Sequence, residues 1–309
     1  MHYNVKELSS SDTYRYLTNL IAPRPIALVS TIDRHGNVNL SPFSFFNLFS
    51  SNPPIVIFSP LSRIRDNTMK HTLHNIIEVS DVVINIVTKD IIGQTSLASC
   101  EYPDGEDEFI KAGFTKETAV MVRPPMVWEA KAKLECHVTD IRPLGKEGGA
   151  GTLVICEVLC MHIDDALYDE EGKFDPCKLN LAARLGGDFY SEVNASNLFT
   201  LPKPNKIGIG MDALPDFIKY SDHLSGNELA VLASVEALPE LQESFEDEQL
   251  TAIQRYLKDN RRTELLHGYI RDLVHQHKID HAWQVILNSR EDMKPENHKE
   301  NGSVFVPNF

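Results

Sequence analysis

The hydrophobic period of this 309-residue chain changes once, at Leu201-Pro202-Lys203-Pro204-Asn205, and that change limits the fold more than any single motif does. Proline lacks a backbone donor and biases the residue before it away from helix, so a Pro-rich stretch of this kind marks a boundary. Before it, short β-branched runs at 26–32, 55–58, 82–87, 132–141 and 152–163 read as strands. Helices are predicted between them at 12–21, 68–78 and 107–112. After it, Leu250, Ile253 and Leu257, then Leu265, Tyr269 and Leu273, then Ile279, Trp283 and Ile286 recur at helical spacing. The chain is expected to divide into a mainly β domain, 1–204, and an α-helical extension, 205–309. Stripes this long are not stable as isolated helices in water, so the extension should pack together and over the opening of a ligand site in the first domain.

The pair of runs at 132–141 and 152–163 brackets Gly145-Lys146-Glu147-Gly148-Gly149-Ala150-Gly151. A phosphate-gripping loop needs Gly-Lys-Ser/Thr opening a helix, whereas this stretch leads into a strand and reads as a hairpin loop. The formal charge of -14 argues against non-specific binding to nucleic acid or anionic membranes, so any anion site must be local. The extension holds 11 Lys and Arg against 18 Asp and Glu, about half of that net charge. The five cysteines form no disulfide framework and no paired zinc knuckle, and Cys156 and Cys160, about 13 Å apart on an extended strand, cannot bridge. With no basic-then-apolar leader and no apolar run long enough to span a bilayer, a cytoplasmic protein is expected. His267, His275, His277 and His281 lack an accompanying carboxylate signature, so no metal site is expected; His277 and His281 would share a face if their helix continued.

Two segments carry the chemistry. The first, Arg63 to Leu73, follows the strand at 55–58 and opens a predicted helix. Free amides and the dipole of a helix start favour an anion, and Arg65, Lys70 and the hydroxyls of Thr68 and Thr72 would add charge-assisted hydrogen bonds. The alternative is a capped surface helix, with Thr or Asn as cap and solvated cations. On either reading Lys70 and Thr72 sit at an exposed helix start. The second segment, Asn39 to Asn47, sets Phe43, Phe45 and Phe46 beside Ser41, Ser44 and Asn47. Such a mixture suits a planar heteroaromatic ligand, and equally a corner where Phe residues fill a core.

Ala22-Pro23-Arg24-Pro25-Ile26-Ala27-Leu28-Val29-Ser30-Thr31, then Gly36, Asn39, Ser41 through Asn47, Asn52-Pro53-Pro54, Lys70 through Ile76, Pro124-Pro125, Leu134-Glu135-Cys136 and Gly187-Asp188-Tyr190 together resemble the flavin reductase-like family, from about residue 12 to 201. The resemblance implies a mainly β fold, a Greek-key FMN-binding split β-barrel with peripheral helices, to which this chain adds its α-helical C-terminal region. It implies a homodimer holding FMN, with Ser41, Pro42, Phe43, Ser44 and Asn47 along the ring and Ser59 near the ribityl chain. It places Arg65, Thr68, Lys70 and Thr72 on the phosphate, with Asn67 and His71 in the same segment. His71 stands where the family commonly has Asp and can itself donate to phosphate. His162 matches a position where relatives often carry a histidine near the flavin, and is the candidate catalytic residue. The activity implied is hydride transfer from NAD(P)H to FMN and on to flavin or another small acceptor. The alternatives are an FMN electron carrier without its own NAD(P)H turnover, or an interaction module using the helical extension. No Gly-x-Gly-x-x-Gly dinucleotide fingerprint is present.

Overall fold

The computed structural model describes residues 1–63, 67–103, 105–201, 207–255 and 260–289, with side chains from 262 in the last of these. The chain forms two compact units, Met1–Phe199 and Thr200–Phe309.

In the first unit the β-branched runs become strands, because side chains alternating across a pleat can bury one face or both. After α1 (Ser10–Leu20) come β1 (Arg24–Pro25), β2 (Ala27–Ile32), β3 (Val38–Phe43), β4 (Phe46–Ser51) and β5 (Pro54–Phe58). Helix α2 (His71–Glu78) leads to β6 (Asp81–Ile86), α3 (Ile92–Leu97) and α4 (Glu108–Ala112). The short β7 (Lys116–Glu117) and β8 (Met126–Val127) precede the long hairpin β9 (Ala132–Pro143) and β10 (Thr152–Ile163). The expected hairpin loop at 145–151 is present, with Pro143 paired to Thr152.

Seven strands form one antiparallel sheet in the order β3-β2-β6-β9-β10-β5-β4. Its two edges, β3 and β4, are consecutive in sequence and joined only by Ser44 and Phe45. Three residue steps reach at most roughly 11 Å, so the edges must come together and the sheet rolls into a barrel. The two edges do not hydrogen-bond to each other, which leaves a seam at Ser44–Phe45.

The barrel interior is filled by Ala27 and Val29 of β2, Phe43, Val56, Phe58, Val82, Ile84, Cys136, Val154 and Cys156, plugged by Leu73 and Ile76 of α2. Leu28, between two inward residues, faces the opposite layer with Leu40, Phe109, Phe114 and Val127. Asn85, fully buried, holds the layers in register: its amide donates to the Leu28 carbonyl at 2.9 Å and its oxygen accepts the Val127 N–H at 2.8 Å. A separate three-stranded sheet joins β1 to β11 (Leu181–Arg184) and β12 (Tyr190–Val193).

The helix expected over 68–78 starts later. Asn67 takes a left-handed φ of 55° and Lys70 is the extended N-cap residue, so Thr68 lies in the preceding loop.

The last helix of the first unit is α5 (Pro176–Leu179), and the second unit contains α6 (Asp216–Lys219), α7 (Gly226–Leu232), α8 (Glu248–Arg255), α9 (Asn260–His275) and α10 (Ile279–Ser289). These helices share a core of their own in which Leu232, Ile270, Trp283 and Ile286 are fully buried. One face differs from expectation: α9 buries Leu266, Ile270, Leu273 and Val274, while Leu265 is 41% exposed. Leu257 lies outside the described residues. The helix carrying His275 ends there, and His277 takes a φ of 58° in the turn, so His277 and His281 do not lie on one continuous helix.

Histidines instead tie segments of this unit together. His275 Nε2 meets Glu228 Oε1 at 2.8 Å, His281 Nε2 meets Asp247 Oδ2 at 2.6 Å, and His267 Nδ1 meets Ser221 Oγ at 2.7 Å. His267 is 2% exposed and its Nε2 has no hydrogen-bond partner among the described residues. Burial, reinforced by neighbouring His223, pushes this imidazole down from 6.5 to about 4. The unfolded chain takes up a proton near 6.5 while the native state does not until about 4, so His267 removes stability as pH falls through that window. Acidification through it should cost the second unit up to about 3 kcal/mol. Urea denaturation followed by the emission of buried Trp283 is expected to show this loss, and His267→Leu to flatten the pH slope above about pH 5.

Candidate functional site

The residues singled out in the sequence separate into two neighbouring regions and a remainder. A polar cleft gathers Ser41 of β3 and Lys70, His71 and Thr72 at the start of α2, together with Asn39, Arg63, Ser99, Tyr102 and Glu108. A much larger cavity, about 1080 Å³, takes Ser44 and Asn47 from the seam and Ser59 after β5. Its walls are mainly apolar and include Tyr14 and Leu17 of α1, its C-cap residue Ile21, Phe45, Phe46, Ile57 and Leu153. Pro42, Phe43, Asn67, Thr68 and His162 line neither. Arg65 lies outside the described residues.

Local structure explains the cleft. No side chain caps α2, and the first amides of a helix have no intrahelical partner, so the helix start offers donors. The helix is held by polar ties to the barrel: Asn39 Nδ2 donates to Thr72 Oγ1 at 3.1 Å, and Asn75 Nδ2 to Thr31 Oγ1 at 3.1 Å. The expectation of an exposed Thr72 is thereby corrected. Thr72 is 1% exposed, because its side chain faces β3 rather than solvent.

Charge in the cleft is mixed. Arg63 is engaged, its Nε 3.2 Å from Glu101 Oε1 and its Nη1 donating to Thr68 Oγ1 at 2.9 Å. Lys70 has no ion-pair partner among the described residues. Glu108 is buried and accepts the Leu40 N–H at 3.0 Å; burial raises its carboxyl above the usual range despite that bond. An anion here would therefore meet Lys70, the amides of α2, His71 and Ser99, with the Glu108 carboxyl on the same cleft.

The cavity is built around Phe45. Its ring lies 6.4 Å from that of Tyr14, and the Arg24 guanidinium sits 5.8 Å from its centroid. Arg24 fixes the wall by donating from Nη1 to the carbonyls of Thr18 and Ile21 and from Nη2 to Leu185. The Thr18 and Ile21 carbonyls belong to the last turn of α1 and its C-cap, where a cation also meets the negative end of the helix dipole. Ser59 donates its N–H to Phe45 O at 2.8 Å, and a Cβ built on Gly151 would lie 2.7 Å from Ser59 Oγ. Only glycine at 151 leaves Ser59 where it stands.

Phe43 belongs to the barrel core, its ring 5.3 Å from Phe58. Asn67 reaches across to the hairpin loop, donating to Lys146 O at 2.8 Å. His162 on β10 meets Glu135 Oε1 at 2.5 Å. The sequence offers no motif for Ser99, Tyr102 and Glu108, which reach the cleft from segments distant from α2, or for Tyr14 on α1.

Residues 20–178 match the family model described as flavin reductase like domain. A protein of Aquifex aeolicus that carries no functional name is 34% identical over 62% of this chain and 94% of its own length. Among solved structures, nitrilotriacetate monooxygenase component B from Bacillus cereus is 28% identical with a TM-score of 0.60, over 65% of this chain and 98% of that one. A flavin reductase with split barrel domain from Shewanella frigidimarina is 27% identical with a TM-score of 0.56, over 66% and 99%. The chain belongs to the flavin reductase-like domain family, and its β-rich unit has that family's split-barrel fold.

The ties around α2 separate two neighbours that the sequence treats alike. Thr72→Ala would strand the buried Asn39 amide and should destabilise the first unit by about 1–3 kcal/mol. Lys70→Ala, removing an unpaired ammonium, should change stability by no more than about 0.5 kcal/mol. Urea titrations of the ligand-free variants measure both.

Proposed function

We propose that this protein is an FMN-dependent oxidoreductase that accepts hydride from NAD(P)H and passes electrons to free flavin or another small acceptor. The observation that carries the reading is that one strand and the seam that follows it contribute to both an anion-suited cleft and a large aromatic-walled cavity. Ser41 of the cleft and Ser44 of the cavity are three residue steps apart, at most roughly 11 Å of chain, so a single ligand with an anionic end and a planar end can engage both.

The donor set fits FMN. Lys70, His71 and the first amides of α2 would hold its phosphate, and Ser41 would donate beside them. Ser44, Asn47 and Ser59 would meet polar edges of the ring system, with Phe45, Phe46 and Ile57 covering apolar surface. One cleft for one phosphate, with no second cradle identified among the described residues, favours FMN over FAD. Bound there, FMN supplies the hydride-accepting chemistry, and the protein supplies position and surroundings. Membership of the flavin reductase-like family supports a redox role, and the Bacillus cereus relative is by its name one component of a monooxygenase.

The cavity is bordered by apolar side chains left open to solvent: Leu17 at 47% and Leu20 at 78% on α1, Ile21 at 62% at its C-cap and Phe49 at 63% on β4. Surface of that character calls for cover, and a second copy of the chain is the proposed cover, making a homodimer. Light scattering on the full chain at micromolar concentration should give twice 34.8 kDa; a stable monomer would remove this part of the reading.

The purified protein should be yellow, and mass spectrometry of the released chromophore should give FMN. Anaerobic mixing with NADH or NADPH should bleach it; a flavin that stays oxidised with both would leave a carrier instead of a reductase. Lys70→Ala should weaken FMN binding roughly ten- to a hundred-fold in a fluorescence titration, the loss of one hydrogen bond to a charged group.

A further inference from the structure

Across the β9–β10 hairpin, away from the residues lining the cavity and the cleft, three side chains with different ligand atoms converge. Glu135, Cys160 and His162 each place a carboxylate oxygen, a sulfur or a ring nitrogen within 4.8 Å of the others. His162 Nε2 is 2.5 Å from Glu135 Oε1 and 3.7 Å from Cys160 Sγ. A register shift between Val158 and Cys160 sets Cys160 opposite Glu135, and Cys160 and His162, two apart, lie on the same face of β10.

We propose that Glu135, Cys160 and His162 form a site for a divalent transition metal ion of borderline softness, with Zn2+ as the reference case. The ligand set is the reason: thiolate, imidazole and carboxylate are the three donor types that Zn2+ accepts, and three protein ligands leave one position open. Tetrahedral bonds of about 2.0 Å to nitrogen and about 2.3 Å to sulfur put those atoms roughly 3.6 Å apart, close to the 3.7 Å between His162 Nε2 and Cys160 Sγ. The oxygen and nitrogen, now at hydrogen-bond distance, have to open by about 0.8 Å. The ion replaces the proton they share and the thiol proton of Cys160. A carboxylate and a thiolate then balance its two positive charges.

The surroundings are arranged for a fixed carboxylate. Glu135 is fully buried, with Val120 N–H donating to Oε1 at 2.9 Å and Met121 and Val122 N–H donating to Oε2 at 2.5 and 3.0 Å. Outer hydrogen bonds of this kind orient a metal ligand and hold it charged. The His162 side chain is 27% exposed, which gives an ion a way in. The cluster is independent of the flavin reading, since none of its members lines the cavity or the cleft.

The test uses the full-length protein, treated with chelator and then titrated with ZnCl2 against a chromophoric competitor, and separately with CoCl2 under absorbance. One ion per chain is expected, with a thiolate-to-cobalt charge-transfer band. Cys160→Ser and His162→Gln should each weaken Zn2+ at least roughly ten-fold, and Cys160→Ser should abolish the band while flavin content stays that of the parent. Failure of the parent to compete with the chelator overturns the proposal. So does Zn2+ binding that both variants retain, which would put the ion on other groups such as the exposed Cys100. If His162→Gln does not fold, the cobalt band in Cys160→Ser decides alone.

Discussion

The first unit depends on the shortness of one connection. Because β3 and β4 are the two edges of a seven-stranded sheet and only Ser44 and Phe45 separate them, the sheet cannot remain open. Closure turns one face inward, where α2 and the alternating residues of the strands fill it. It also leaves an unzipped line, since the two edges do not hydrogen-bond to each other. Side chains there point where neighbouring strands would otherwise be. Phe43 ends inside the barrel against Phe58 and Phe45 in the cavity wall, two residues on, so the seam converts strand alternation into a boundary between core and site.

Buried polar groups fix this arrangement more than apolar packing does. Apolar contacts tolerate sliding, whereas a buried amide that loses its partner costs about 1–3 kcal/mol against a net gain nearer 1 kcal/mol when paired. Asn85 pins two layers, Asn39 and Asn75 pin α2 to β3 and β2, and Glu108 closes on the Leu40 amide. Each bond joins segments distant in sequence. Together they set where the start of α2 lies relative to the seam, and so how the cleft and the cavity adjoin.

What could be read from the sequence follows from how local each signal is. The strands rich in Val and Ile were legible, and the turn at 145–151 separated the long hairpin. Strands β3 and β4 were not, because Ser, Asn and Phe there resemble ligand contacts more than a pleated pattern, and edge strands need bury little. In α9, Leu265 and Leu266 are adjacent, so either of two faces fits the period; tertiary packing chose the one with Ile270 and Val274. Within the site, Ser41, Ser44, Asn47, Ser59, Lys70, His71 and Thr72 do come to the cavity or the cleft. Arg24 and Glu108 act through the backbone carbonyls and amides of distant segments, and Glu135 meets Cys160 only through a shift in strand register. No spacing rule contains such information.

Helix α2 begins without a side-chain cap, and two of its residues anchor the barrel. On the proposed reading an anion completes its first turn, and occupancy would then be linked to folding. A ligand bound only by the native state adds about 2.7 kcal/mol at a hundred-fold excess over its dissociation constant. That increment is comparable to the loss of a core methylene or two, and it vanishes when the ligand is scarce. The amount of folded protein present in a cell would then track the supply of the molecule it holds, so that starvation for the cofactor removes the apoprotein through proteolysis instead of leaving it idle.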